Sequence, residues 1–162
     1  MFSCPNTKCR DMDKGVYCLI LSCRKPCTIR IGALGRIEFR EGSYIYVGSA
    51  LGSGGLSRVT RHIRFFHEHY RKPKWHIDYL MEAVEVTLTN VICAKTDEKL
   101  ECILAKNIGG PGVENFGCSD CFCRTHLFYR GNQPAAEVTQ AFQKAGLEPI
   151  NHIIHRMDKS GL

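Results

Sequence analysis

The chain contains no run of about 18 or more apolar residues, which excludes a membrane-spanning helix. It has no internal repeat and no low-complexity tract, so solenoids and long disordered linkers are excluded as well. The first 14 residues lack the apolar stretch of a secretory signal, and a cytoplasmic protein with no membrane partner is expected. Acidic side chains are scarce in one place: between positions 58 and 74, Glu68 alone opposes Arg58, Arg61, Arg64, Arg71, Lys72 and Lys74. Most charge runs are solvated helix faces, but a patch this one-sided also attracts and steers polyanions. The last five of those cations are candidate nucleic-acid contacts.

With 162 residues, 44% hydrophobic and 23% charged, the chain has the composition of one globular domain. A chain of this size hides roughly 70% of its unfolded surface, enough for a core without disulfide staples. The ten cysteines therefore read as reduced thiols or metal ligands before they read as disulfides.

Residues 16–21 are continuously apolar at strand length, as in a buried central strand. Residues 28–31 and 36–40 form a hairpin around Gly32-Ala33-Leu34-Gly35, with Ile37 and Phe39 alternating against charged neighbours. A further strand over 44–47 puts Tyr44 and Tyr46 on one face and Ile45 and Val47 on the other. The glycine-rich stretch 48–55 predicts a loop, and a helix over 56–70 follows. Its first apolar stripe is Leu56, Val59, Ile63, Phe66 and Tyr70; Arg58, His62, Phe65 and His69 form a second. A helix from Trp75 should bury Ile77, Leu80, Met81 and Val84, and residues 85–94 should form a strand. A third helix opened by Thr96 or Asp97 should bury Leu100, Ile103, Leu104 and Ile108, with Glu101 at the border of its stripe. Pro134 and Gly146 bracket a last helix, after which residues 147–162 add a strand or end loosely. The expected fold is α/β (α+β): a small, mostly antiparallel mixed sheet flanked by helices. A tail over 1–14, a main domain over 15–130 and a C-terminal helical extension over 131–162, packed on the same domain, are the expected divisions.

Gly15-Val16-Tyr17 and Tyr46-Val47-Gly48-Ser49 are each weak signals. In sequence with Arg58 and His62 one helical turn apart, and then a helical glutamate, they are specific. In this order, and in Trp75-His76-Ile77-Asp78-Tyr79-Leu80 and Gly117-Cys118-Ser119-Asp120-Cys121, the chain resembles the GIY-YIG nuclease superfamily, in particular its compact, mainly archaeal Uri-type branch. The likeness spans about residues 15–129. Valine stands for isoleucine in both tripeptides, the spacer between them is long, and the asparagine usual after the family's glutamate has no counterpart better than Asn107 or Asn115.

The resemblance implies a divalent-metal-dependent DNA nuclease that recognises single-stranded, flapped or damaged DNA, acting endo- or exonucleolytically in repair or processing. By resemblance Tyr17 is the general base or orienter of the attacking water, and Tyr46 shapes the same pocket. A phenol with a reference pKa of about 10 needs nearby positive charge to serve as a base. Arg58 suits bidentate contact to a phosphate whose charge grows in the transition state, and His62 a proton transfer or phosphate contact. Glu101 is the expected ligand of Mg²⁺ or Mn²⁺, with Asp78 as the competing carboxylate. Each has a plainer alternative: core-edge tyrosines, a surface arginine, a structural histidine, a solvated acid.

Cys118, Cys121, Cys123 and His126 follow the pattern C-x₂-C-x-C-x₂-H. Zinc, packed reduced thiols and a disulfide are the three readings, and Cys4 and Cys9 stand far away in sequence as further candidate ligands. The rival to a nuclease is a non-catalytic, zinc-containing nucleic-acid-binding module; an RNA nuclease is the third reading.

Overall fold

A computed structural model of the chain describes residues 12–155. Cys4, Cys9 and most of the expected tail over 1–14 lie outside the described residues.

Among the described residues, seven strands and four α-helices follow in the order β1 (Gly15–Cys23), β2 (Cys27–Arg30), β3 (Arg36–Phe39), β4 (Gly42–Ala50), α1 (Ser57–Glu68), α2 (His76–Glu82), β5 (Val86–Lys95), α3 (Glu101–Ile108), β6 (Leu127–Arg130), α4 (Ala135–Lys144) and β7 (Ile150–Ile153). Five strands form one sheet in the order β6-β4-β1-β5-β7, and all four of its pairings are antiparallel. The hairpin β2–β3 stands apart as a two-stranded sheet.

Helices cover both faces of the main sheet, which explains why β1, at its centre, is apolar throughout rather than alternating. On one face Tyr17, Leu19, Leu21 and Tyr44 pack with Leu56, Val59 and Phe65 of the α1 segment and Ile77, Leu80 and Met81 of α2. On the other, Val16, Cys18, Ile20, Ile45 and Val47 pack with Leu104, Ala105 and Ile108 of α3 and Val138, Ala141 and Phe142 of α4. The alternation in β4 thus assigns Tyr44 and Tyr46 to the α1/α2 side and Ile45 and Val47 to the α3/α4 side, as the period of two requires.

Several boundaries differ from the sequence expectation. β4 runs on through Ala50, three residues into the expected loop, because its pairing with β1 continues to Gly15. In α1 the buried residues are Val59, His62 and Phe65, whereas Tyr70 is exposed. The apolar face is rotated toward the second stripe and takes His62 into the core. α2 ends at Glu82, Ala83 turns extended, and Val84 is exposed instead of buried. α3 begins at Glu101, not near Thr96: the Thr96 hydroxyl accepts the Glu98 amide at 3.1 Å, closing a turn that competes with helix. That later start leaves Ile103 exposed and buries Glu101. The segment after α4 does add a strand, β7, at the β5 edge of the sheet.

Candidate active site

Tyr17 is the third residue of the sheet's central strand, opposite Gly48 of β4. A Cβ at Gly48 would fall 2.5 Å from the Tyr17 hydroxyl oxygen and closer still to its ring, so the phenol can lie over this strand only where the side chain is missing. Gly117 has a left-handed backbone (φ +69°) and lies so close to Tyr46 that a Cβ there would be 2.9 Å from its ring. The Gly117 amide donates to His76 Nδ1 at 2.9 Å, fixing the 117–120 loop to the start of α2.

The Tyr17 hydroxyl and His62 Nε2 are 2.8 Å apart, and both side chains are buried. The His62 imidazole is enclosed by the rings of Tyr17, Tyr46 and Trp75. Burial pushes its pKa down from 6.5 to about 4, with the cations Arg58, Arg71 and Arg61 adding to the effect and Asp78 opposing it. His62 is therefore neutral at physiological pH. Burial raises the Tyr17 phenol well above its usual value and raises Tyr46 too; Arg58 opposes both shifts and also hydrogen-bonds Tyr17.

Tyr17, Tyr46, Arg58, Lys74, Trp75 and Glu101 share the walls of one cavity of about 350 Å³, which Ser49, His76, Ser119 and Asp120 also line. Arg58 Nη1 donates to the Ser49 carbonyl at 2.8 Å, which steadies the guanidinium. Glu101 reaches the cavity from the first turn of α3, in the layer across the sheet. Burial raises its pKa, the nearby Asp120 raises it further, and Lys99 and Arg58 pull it down. Asn107 and Asn115 do not line this cavity.

Asp78 stands elsewhere. Its side chain is fully buried, and Oδ2 accepts from Arg71 Nη1 at 2.8 Å and from the amides of Lys74 and Trp75 at 2.9 and 3.0 Å. That is the work of a helix cap and ion-pair partner, and the carboxylate does not line the cavity. Among the predicted basic contacts, Lys74 is at the cavity and Arg61 and Lys72 are exposed. Arg64 pairs with Glu68 at 2.9 Å. Arg71 is committed to Asp78 and packs over Phe65 and Trp75, so it belongs to the framework rather than to a free surface.

The thiols of Cys102, Cys121 and Cys123 and a ring nitrogen of His126 lie within 4.8 Å of one another, a group that could hold a metal ion. Cys118 is not in it: its buried thiol donates to the Arg124 carbonyl at 3.6 Å. Its place is taken by Cys102 of α3, which the local spacing of the cysteine motif could not reveal.

A family model described as "Domain of unknown function DUF123" matches residues 16–147. The chain belongs to the DUF123 family. No curated protein and no solved structure matches it. The match runs from β1 through α4, so the DUF123 unit holds both tyrosines, the cavity and the thiol cluster together. No helix among the described residues of this DUF123 chain is long and apolar enough to cross a membrane.

The buried neutral His62 makes stability depend on pH. Below pH 6.5 the unfolded chain binds a proton at this residue that the folded one refuses until about pH 4. Stability is complete above 6.5 and should fall by about 3 kcal/mol as the pH drops through that window. Urea midpoints of the native chain and His62→Gln at pH 7 and pH 4.5 check this. The native chain should lose markedly more stability than the variant; equal losses would place the acid sensitivity elsewhere.

Proposed function

We propose that this DUF123 chain is a divalent-metal-dependent nuclease of the GIY-YIG type, hydrolysing phosphodiester bonds in DNA. The observation that carries the reading is the convergence of Tyr17, Tyr46, Arg58, Lys74 and Glu101 on one cavity, from five separate parts of the chain. Three needs of the reaction have a candidate there: a group to orient and deprotonate water, cations for the non-bridging oxygens, and a carboxylate for a metal.

The raised phenol pKa argues against a free Tyr17 phenolate as base. The 2.8 Å contact with His62 offers another route: water gives its proton to the Tyr17 oxygen as Tyr17 passes its own to the neutral Nε2. Arg58 and Lys74 receive the phosphate, the arginine through its fork of N–H donors.

Glu101 and Asp120 face the cavity from different segments, and the nearby Asp120 disfavours the negative charge on Glu101. Such a donor set, with the Ser119 hydroxyl near, fits Mg²⁺ or Mn²⁺, hard ions held by one or two carboxylates and otherwise by water and phosphate oxygens. Bound there, the ion would neutralise charge on the phosphate and the leaving alkoxide. For the thiol cluster, zinc in a structural role is the ion we assign, given its three soft sulfur donors and one imidazole.

Single-stranded or branched DNA is the favoured substrate. Trp75 is half-buried at the cavity, with Lys74 Nζ 5.3 Å from its ring centre, a suitable stacking surface for an unpaired base. Phe65, by contrast, is fully buried and unavailable for stacking. Thiols such as Cys18, Cys23 and Cys118, outside any disulfide, suit a reducing, cytoplasmic setting.

End-labelled single-stranded, flapped, nicked and duplex DNA, with matched RNA, tests the proposal in Mg²⁺ and in Mn²⁺. We expect metal-dependent cleavage of the single-stranded or flapped DNA and a loss on the order of 10²-fold in Glu101→Gln. Absence of cleavage on every substrate would sink the nuclease reading, and preference for the RNA panel would reassign the substrate.

A further inference from the structure

The cavity's two carboxylates come from segments distant in sequence: Glu101 opens α3, and Asp120 lies in the loop between α3 and β6. A cysteine follows each of them directly, Cys102 after Glu101 and Cys121 after Asp120. Those cysteines belong to the four-residue cluster with Cys123 and His126. Cys102 and Cys123 also line a second cavity, on the side of α3 next to Ala105 and Lys106. Each carboxylate thus faces the active-site cavity while its neighbouring thiol joins the cluster.

The geometry is close to that of a tetrahedral ion. Bonds of about 2.3 Å to sulfur and 2.0–2.1 Å to nitrogen place ligand atoms roughly 3.5–3.8 Å apart. Cys121 Sγ and His126 Nε2 are 3.5 Å apart, and all four ligand atoms are within 4.8 Å. The histidine is held on a rigid frame: its amide donates to the Phe116 carbonyl, and its own carbonyl accepts from Val47 of β4, both at 2.9 Å. Three thiolates and one imidazole form a closed structural zinc set.

We propose that zinc bound by Cys102, Cys121, Cys123 and His126 clamps the start of α3 to the 118–126 loop, and so sets the separation of Glu101 and Asp120. The clamp makes these four ligands positioning residues for the divalent-cation site. Loss of the zinc, or oxidation of its thiols, lowers the affinity of the active site for Mn²⁺ without touching either carboxylate. The binding of zinc stands on the cluster alone; its effect on the carboxylates rests on the nuclease reading.

Metal analysis of the full chain, purified through a chelator-containing step, should find about one zinc per chain. Cys102→Ser and Cys123→Ser should lose it, and Cys118→Ser should keep it. Cobalt(II) substituted into the native chain should show the strong visible bands of a tetrahedral thiolate site, a readout that needs no variant to fold. Manganese(II) affinity, followed by the EPR signal of the free ion, should weaken roughly 10- to 100-fold in native protein stripped of zinc with a mercurial and returned to reduced thiols, and recover when zinc is added. A zinc-free native chain, zinc retained by Cys102→Ser but lost from Cys118→Ser, or Mn²⁺ affinity indifferent to stripping would each overturn the clamp. Zinc and Mn²⁺ binding as expected, with no cleavage of any substrate, would leave the clamp standing and remove the nuclease. Cleavage by a zinc-free protein would do the reverse.

Discussion

Arg58→Ala should lower the rate of single-turnover DNA cleavage by about 10²-fold or more, while the protein stays folded. Arg58 Nη1 donates to the Ser49 carbonyl at 2.8 Å, and the guanidinium lines the cavity beside Tyr17. Two losses combine in the variant. The phosphate loses a bidentate cation where transition-state charge builds up, and Tyr17 loses the positive neighbour that counters part of the effect of its burial. Arg58→Lys restores a charge but not the fork, and should recover only part of the rate. Substrate affinity should change less than the rate, because Lys74 and the surface cations Arg61 and Lys72 still draw the polyanion in. A native cleavage rate in the alanine variant would exclude Arg58 from the chemistry, even if the chain proves to be a nuclease.

Asp78→Ala should cost about 3 kcal/mol of stability, read as a shift in the urea midpoint at constant slope. One oxygen of this buried carboxylate accepts from the Arg71 guanidinium and from the Lys74 and Trp75 amides. Truncation leaves the arginine, which is 24% exposed, without its partner and orphans two N–H groups at the start of α2. Because Lys74 and Trp75 line the cavity, the alanine variant would also blunt cleavage by loosening that wall. Asp78→Asn separates the two effects. It keeps an acceptor for the amides, so it should retain more stability than alanine and need no more Mn²⁺ than the native chain. An asparagine variant of native stability with a Mn²⁺ requirement raised about tenfold would make Asp78 a metal ligand instead.

The difference between Asp78 and Glu101 marks the limit of reading the site from sequence. Both are carboxylates on helices beside apolar residues, and both were candidates for the metal. Which way each faces depends on where its helix starts. α2 starts at His76, which puts Asp78 at the third position, where its oxygen turns back onto the Trp75 amide as a cap. α3 starts at Glu101 itself, and the first-turn side chain points out of the helix end into the cavity. A shift of a few residues in either start would exchange these surroundings, and such boundaries are the least certain part of any sequence reading.

The thiol cluster shows the same limit from another side. Cysteines at 118, 121 and 123 with a histidine at 126 form a local pattern, and nearness in sequence favours Cys118. The loop turns that thiol inward to the Arg124 carbonyl and opens the fourth place to Cys102, brought in by the packing of α3 on β4. A lone cysteine in a helix carries no signal of its own, apart from its position next to Glu101.

The chain's own pattern determined β1, the hairpin, β4 and β5, the two faces of β4 and the central place of β1, because side-chain direction alternates with a fixed period and an unbroken apolar run must be covered on both sides; the short edge strand β6 carried no such signal. It also determined that Arg58 and His62 stack on one helix, since positions four apart meet by helical geometry alone. Tertiary structure decided which carboxylate shares a cavity with Arg58, that His62 is buried and neutral against Tyr17, and which thiol completes the cluster. Those contacts join segments tens of residues apart, and the docking of whole elements sets them, not any local preference of the chain.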